Sequence, residues 1–343
     1  MEHAAAAYEP FHFHLLYDAV LSIAGFLVVL AICRVLSLHD PKLRIRIFAL
    51  VIGLPILGEL VAMASYMVRP APHTPIGQAI LRFHEQCGFC SLFDKPSFLG
   101  TKPWLILSAL LVITLVSLIK KGLGALILRR LAVKYSLFPI SSHPGLHQHL
   151  VTVAARCKAP LPRIAITPHL EPVALTCGVR HPTIIISQGM LRQFSQAELE
   201  AVLTHELAHV VRRDNLWNWL IALLRDTLFF FPTSHLAWRQ IVIFQEKACD
   251  DLTIRWTGRP LDLARSLVKF CQHSPIRHMV CSEELFLTNR FLRRESFVER
   301  RIERIILSRR REAAIPSSKR IALVIGAIVL ILMLFALPIV IGC

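Results

Sequence analysis

The chain has 343 residues, 54% of them hydrophobic, with 39 Lys and Arg against 23 Asp and Glu and a formal net charge of +16. Apolar residues this abundant and gathered in long runs exclude an ordinary soluble protein and point to an integral membrane protein of one or two domains. The positive charge by itself would fit nucleic acid, but no reading motif accompanies it, so no direct nucleic-acid contact is expected.

Residues 1–14 contain Glu2 and Glu9 and no Lys or Arg. Leu15 to Val35 is about the length of a membrane span, and without a basic leader it does not read as a cleavable signal peptide. A basic loop follows, and Ile47 to Val68 forms a second apolar run interrupted by Glu59. A carboxylate at mid-span marks either a functional position or a structural glutamate held neutral or bonded within the helix. Residues 69–103 hold five prolines and read as an outside loop, with a short amphipathic piece at Ile76 to Glu85. Its Cys87 and Cys90 fit a local disulfide, a redox pair or two inert thiols. Trp104 to Ile119 is a third span with an interfacial Trp at one end and Lys120-Lys121 at the other, able to extend as helix to Arg130.

From Tyr135 to about Arg311 the pattern is that of a globular domain. Leu146 to Cys157 suits a helix. RIAIT and TIIIS, around Ile164 and Ile185, are short β-branched runs bounded by proline and read as strands, with a turn at Gly178 between them. Leu216 to Phe231 reads as a packed helix, because Arg225 and Asp226 interrupt it. Leu285 to Leu307 is a basic helix that suits either an anionic membrane surface or a solvated face. Ile321 to Ile341 makes a fourth span. Charge placement orients these segments. Four Lys and Arg fall from Arg34 to Arg46, 31 from Lys120 to Arg320 and only four elsewhere, which puts residues 120–320 inside and both termini outside. Of nine cysteines, Cys157, Cys177, Cys249, Cys271 and Cys281 fall on that inner side, where reduced thiols are expected.

The chemistry is concentrated in SQAELEAVLTHELAHVVRRD. Ser195 and Glu198 form a capping-box pattern, and Leu199, Val202, Leu203, Leu207 and Val210 recur at helical spacing. His205 and His209 then stand one turn apart on one face and can share a Zn²⁺ ion, with Glu206 beside it as general base. Downstream, Leu236, Ile241, Phe244, Ala248 and Leu252 mark a second helix carrying Glu246 and Asp250. Two histidines and Glu246 leave a fourth position for water, as in a catalytic zinc site, where the metal lowers the pKa of that water toward 7. Asp250 is spaced to accept the free ring N–H of a ligand imidazole.

At HELAHVVRRDN and FQEKACDD, preceded by PVALTCGVRHPTIIIS, the chain resembles the BlaR/MecR antirepressor family of membrane zinc peptidases and, more distantly, HtpX-like proteases. The resemblance implies an α-helical multi-pass membrane protein with a cytoplasmic α+β gluzincin domain. Its parts would be three spans over 1–134, a zinc peptidase domain over 135–311, and a linker with the last span over 312–343. It implies His205, His209 and Glu246 as zinc ligands, Glu206 as the base and Asp250 as the partner of a ligand histidine. It further implies a zinc metalloendopeptidase of the bacterial inner membrane that cuts a cytoplasmic protein, such as a winged-helix repressor, and self-cleavage before the last span. Arg309 to Ala314, past the helical pattern and before Pro316, is the place for such a cut, and the alternative for this segment is a basic anchor on lipid headgroups. The family's external penicillin-binding sensor is missing after Ile341, so direct β-lactam sensing is not expected. The rival readings are a quality-control membrane protease and a non-catalytic scaffold that uses zinc only for structure.

Overall fold

A computed structural model of the chain describes residues 15–35, 40–68, 103–135, 144–273 and 291–307, with the single residues Gln78 and Gly326. The outside loop with Cys87 and Cys90, its amphipathic piece, the last span and the segment 309–314 lie outside the described residues, as does the side chain of Glu59. Two compact units are separable: Met1–Leu118 with Ile221–Val242 and Ala314–Cys343, and Ile119–Leu220 with Ile243–Ala313.

Helices α1 (Leu15–Val35), α2 (Pro41–Val68) and α3 (Pro103–Tyr135) follow the apolar runs. Helix α2 begins ahead of the second apolar run because Asp40 Oδ1 accepts from Lys42 N at 2.9 Å and Pro41 has no N–H to leave unpaired. Within the first unit, the rings of Phe26 and Phe48 lie 6.0 Å apart between α1 and α2. In the same unit, Thr114 and Thr227 hydroxyls meet at 3.0 Å and Ser117 donates to Asp226. Ser108–Leu128 of α3 is, among the described residues, the one stretch of helix long and apolar enough to cross a membrane. Leu111, Val112, Leu115, Val116 and Ile119 on it are exposed, which suits lipid rather than water.

The second unit is built around a small sheet. Strands β1 (Arg163–Thr167) and β3 (Thr183–Ser187) form at the two β-branched runs. A third strand, β2 (Ala174–Cys177), forms between them, where the sequence shows only the turn at Gly178. The order is β1-β3-β2, with Ala165 parallel-paired to Ile185 and Leu175 antiparallel-paired to the same residue. Every residue of central β3 is buried. Ile184 and Ile186 join the main core with Leu150, Leu203 and Leu207, whereas Ile185 faces Ala165 and Cys177 on the other side, the period of two that a strand imposes.

The second unit also holds α4 (Pro144–Arg156), the short α5 (Gln188–Gln193), α6 (Gln196–Arg212), the start of α7 (Asp214–Thr227), the later part of α8 (Pro232–Thr257), α9 (Pro260–His273) and α10 (Phe291–Leu307). Helix α6 opens with the expected capping box: Ser195 Oγ accepts from Glu198 N, and Glu198 Oε2 accepts from Ser195 N. All five apolar residues that predict this helix lie in the main core. Helix α10 departs from the expected lipid or solvent face. Its Ile302 and Ile305 pack with Leu263, Ala264 and Leu267 of α9 and Ala201 of α6, while Ile306 and Leu307 stay exposed.

Two glycines are required by geometry. Gly178 sits at φ +86° in the β2–β3 turn, and a Cβ on Gly189 would stand 1.7 Å from the Leu170 carbonyl oxygen. Gly189→Ala is expected to force backbone apart and destabilise the domain by about 1–3 kcal/mol, an overpacking cost. Gly122→Ala, with open space around it, should not. Thermal unfolding of the two variants beside wild type checks this.

Candidate metal centre

Helical spacing on α6 brings His205 and His209 together, with ring centroids 5.0 Å apart, and Glu246 reaches them from α8. Glu246 Oε2 is 3.5 Å from His205 Nε2, and Oε1 is 3.7 Å from His209 Nε2. The three residues offer ligand atoms all within 4.8 Å of one another and can hold one metal ion. Donors around a tetrahedral Zn²⁺ with bonds of about 2.0–2.1 Å stand about 3.3–3.4 Å apart, close to the 3.5 and 3.7 Å that separate the Glu246 oxygens from the two Nε2 atoms.

Behind the three donors lie carboxylates. His209 Nδ1 is 2.9 Å from Asp214 Oδ2 in a hydrogen bond. Asp214 reaches back because Arg213 caps α6 in the left-handed conformation, φ 55°, and turns the chain at once into α7. Arg212 Nε and the Cys249 thiol also approach Asp214 Oδ2, at 3.1 and 3.4 Å. His209, Asp214 and Cys249 form a second group of metal-type donors, but there the histidine presents Nδ1, already committed to Asp214. Asp250 Oδ1 lies 3.3 Å from His205 Nδ1, in charge contact but without hydrogen-bond alignment.

Glu206 is buried one residue on from His205, and Thr176 of β2 donates to its Oε2 at 2.7 Å. Asn215 Nδ2 donates to the backbone oxygens of Thr176 and Gly178 at 3.2 Å, tying the strand to the start of α7. From α10 comes Arg301, whose Nη1 is 2.8 Å from Glu246 Oε2 while Nη2 and Nε bond both oxygens of Asp250 at 2.7 and 2.9 Å.

These charges set one another's protonation. Burial opposes a charge on His205, but Asp250 and Glu246 outweigh it and push the imidazole up to about 10. His209 is raised as well, burial again being overcome by Asp214 and then Glu246. Burial would raise Glu246, yet Arg301 and the two imidazoles hold it well below the usual carboxylate range. Asp250 is lowered in the same way, with Arg301 outweighing burial. Burial, reinforced by Asp214, drives the Cys249 thiol well above its ordinary value.

The structure thus gathers His205, His209 and Glu246, with Glu206 and Asp250 alongside. It adds Asp214, Thr176 and Arg301, which the sequence reading does not single out for the centre. An H-E-x-x-H helix with a third donor from a following helix defines a metallopeptidase type of centre. The family model described as BlaR1 peptidase M56 matches residues 94–300, more than half of the chain and including both helices, and the chain belongs to this family. Among curated proteins it is similar to a Protease HtpX homolog of Pelotomaculum thermopropionicum, 32% identical over 143 residues. It is also similar to Protease HtpX homologs of Methanocaldococcus jannaschii, 33% over 107 residues, and Thermococcus kodakarensis, 39% over 87. The matches cover 35%, 30% and 25% of this chain, and only 51%, 37% and 30% of the relatives' length. Among solved structures, the crystal structure of S. mikatae Ste24p aligns with 75% of this chain and 91% of that one at 13% identity and a TM-score of 0.29, too slight a likeness to bear on fold or function.

A proton on His205 competes with a metal ion for Nε2. Metal uptake should therefore release at least one proton per ion, and apparent affinity should rise with pH toward about 10, where His205 gives up its proton unaided. Calorimetric titration with Zn²⁺ in buffers of different ionisation enthalpy measures the release. An affinity that stays flat between about pH 6 and 8 contradicts the expectation.

Proposed function

We propose that this chain is a membrane-embedded zinc endopeptidase that cuts cytoplasmic protein substrates. The observation that carries the reading is Glu206: a buried carboxylate beside a three-donor metal set, with one oxygen tied to Thr176. In this reading His205, His209 and Glu246 hold the metal, and three protein donors leave a fourth position for a reacting group. Zn²⁺, when bound, supplies Lewis acidity to a water and to the scissile carbonyl. Thr176 occupies Oε2 of Glu206, so Oε1 takes the proton of the attacking water and hands it to the leaving amine. The hydrogen bond to Asp214 keeps the His209 imidazole turned so that its Nε2 faces Glu246, and Asp250 lies in charge contact with His205 Nδ1. Strand β2 ends the sheet beside Glu206, the kind of edge to which an extended peptide can add, although Asn215 already bonds its Thr176 oxygen.

The substrate we propose is a transcriptional repressor of the winged-helix type, cut in a regulatory step, with self-cleavage at Arg309 to Ala314. The setting is the bacterial inner membrane, with residues 120–320 inside and both termini outside. The Lys and Arg placement and the exposed apolar stretch of α3 support that setting. A second reading, a quality-control protease acting on many misfolded proteins, draws on the similarity to Protease HtpX homologs.

Glu206→Gln is expected to keep the metal and lower kcat by about 10²–10⁴-fold, the usual contribution of a positioned base. Thr176→Val, which frees Oε2, should cost roughly tenfold, as for a hydrogen bond to a charged group. His205→Ala should lose the metal itself. Metal content and peptide hydrolysis measured together separate these outcomes, and a fully active Glu206→Gln overturns the mechanism. Substrate trapping with Glu206→Gln in cells then separates the readings: one enriched repressor supports regulation, many unfolded chains support quality control.

A further inference from the structure

Arg301 is 7% exposed, yet its side chain carries a full positive charge into the second unit. It reaches two carboxylates on one helix: Nη2 and Nε clasp Asp250, and Nη1 takes Glu246 Oε2. Glu246 and Asp250 are four residues apart, one turn of α8, so a planar fork entering from the side spans both. A lysine ammonium has no such fork. Glu246 Oε2, which Arg301 Nη1 holds, is also 3.5 Å from His205 Nε2, and Oε1 is 3.7 Å from His209 Nε2. Asp250 Oδ1, which Arg301 does contact, is the oxygen 3.3 Å from His205 Nδ1.

We infer that Arg301 is a positioning residue of the metal centre, a guanidinium that fixes the Glu246 carboxylate facing both Nε2 atoms and fixes Asp250 behind His205. The inference rests on the metal-centre reading above. Stability alone does not account for such a residue, because a buried ion pair is commonly no more stabilising than apolar side chains of similar volume. What the fork adds is orientation of two side chains at once. Its own entry point is fixed independently: Ile302 and Ile305 dock α10 on α9, and Arg304 donates to the Lys247 backbone oxygen at 3.2 Å and bonds Asp251. Helix α10 is therefore part of the centre, although Arg301 stands one residue beyond the segment matched by the family model.

The test uses the full chain in detergent, stripped with a chelator and titrated with Zn²⁺ against a chromophoric competitor, with circular dichroism as the check on folding. Arg301→Gln is expected to weaken zinc binding by about 10–100-fold, the scale for partners that orient metal ligands. Arg301→Lys, which keeps the charge without the fork, should fall between it and wild type. Arg304→Gln, which loosens α10 without touching either carboxylate, should stay near wild type. If Arg301→Gln does not fold, Arg301→Lys decides: weaker zinc binding supports the inference and wild-type binding overturns it. Equal affinity in wild type and folded Arg301→Gln overturns it, as does an equal loss in Arg304→Gln, which would make helix docking the cause. Wild type that takes up no zinc fails the metal-centre reading itself, a result distinct from the other two.

Discussion

Three carboxylates, those of Asp214, Glu246 and Asp250, are largely withdrawn from water around two imidazoles, and the pairing of their charges is the constraint on which the second unit depends. An ion left unpaired in such a place costs several kcal/mol, so each oxygen needs a partner. His209 serves Asp214, His205 lies against Asp250 and Glu246, and Arg301 bridges the latter two. Arg212 also reaches Asp214, so each of the three carboxylates meets at least one basic side chain.

Each group arrives from a different piece of local structure. The 3.6-residue turn of α6 stacks His205 over His209, and the same period on α8 stacks Glu246 over Asp250. The left-handed cap at Arg213 brings Asp214 back within a hydrogen bond of His209, five residues earlier in the chain. A non-glycine residue in that conformation costs roughly 1–2 kcal/mol. The hydrogen bonds from the Arg213 N–H to Val210 O and from His209 Nδ1 to Asp214 Oδ2 offset part of the cost. Beneath them the apolar face of α6 is clamped between the sheet and α4, which fixes the angle at which the histidines emerge.

What was legible in the sequence was whatever repeats locally. The capping box, the five apolar positions of α6, the runs at β1 and β3 and the bounds of α1 all state their structure within a few residues. So do the two ligand-spaced pairs, His205 with His209 and Glu246 with Asp250, which the fold brings together. The rest depends on what lies far away in the chain. Strand β2 has four residues and only one β-branched side chain, so its identity comes from pairing with β3 rather than from propensity. Asp214 follows a turn usually marked by glycine, and Arg213 hides it. Arg301 is 51 residues from Asp250 and belongs to a run of arginines that looks like a surface. Only the packing of Ile302 and Ile305 turns that run inward.

In the proposed reading, Glu206 also separates a catalytic centre from a structural one. A structural zinc site closes its coordination with four protein donors and has no use for a further buried carboxylate. Here the described donors that converge with both Nε2 atoms are one carboxylate, that of Glu246, while Glu206 stands apart from the set and is held by Thr176. Burying Glu206 with that single side-chain hydrogen bond lowers stability relative to an apolar residue of the same size. Thr176 is in turn fixed from two directions, by β3 through the sheet register and by Asn215 through its backbone oxygen. A costly carboxylate aimed by a supported hydroxyl is the arrangement expected where a proton must move. Nothing in the packing of α6 would otherwise require an acid at that position.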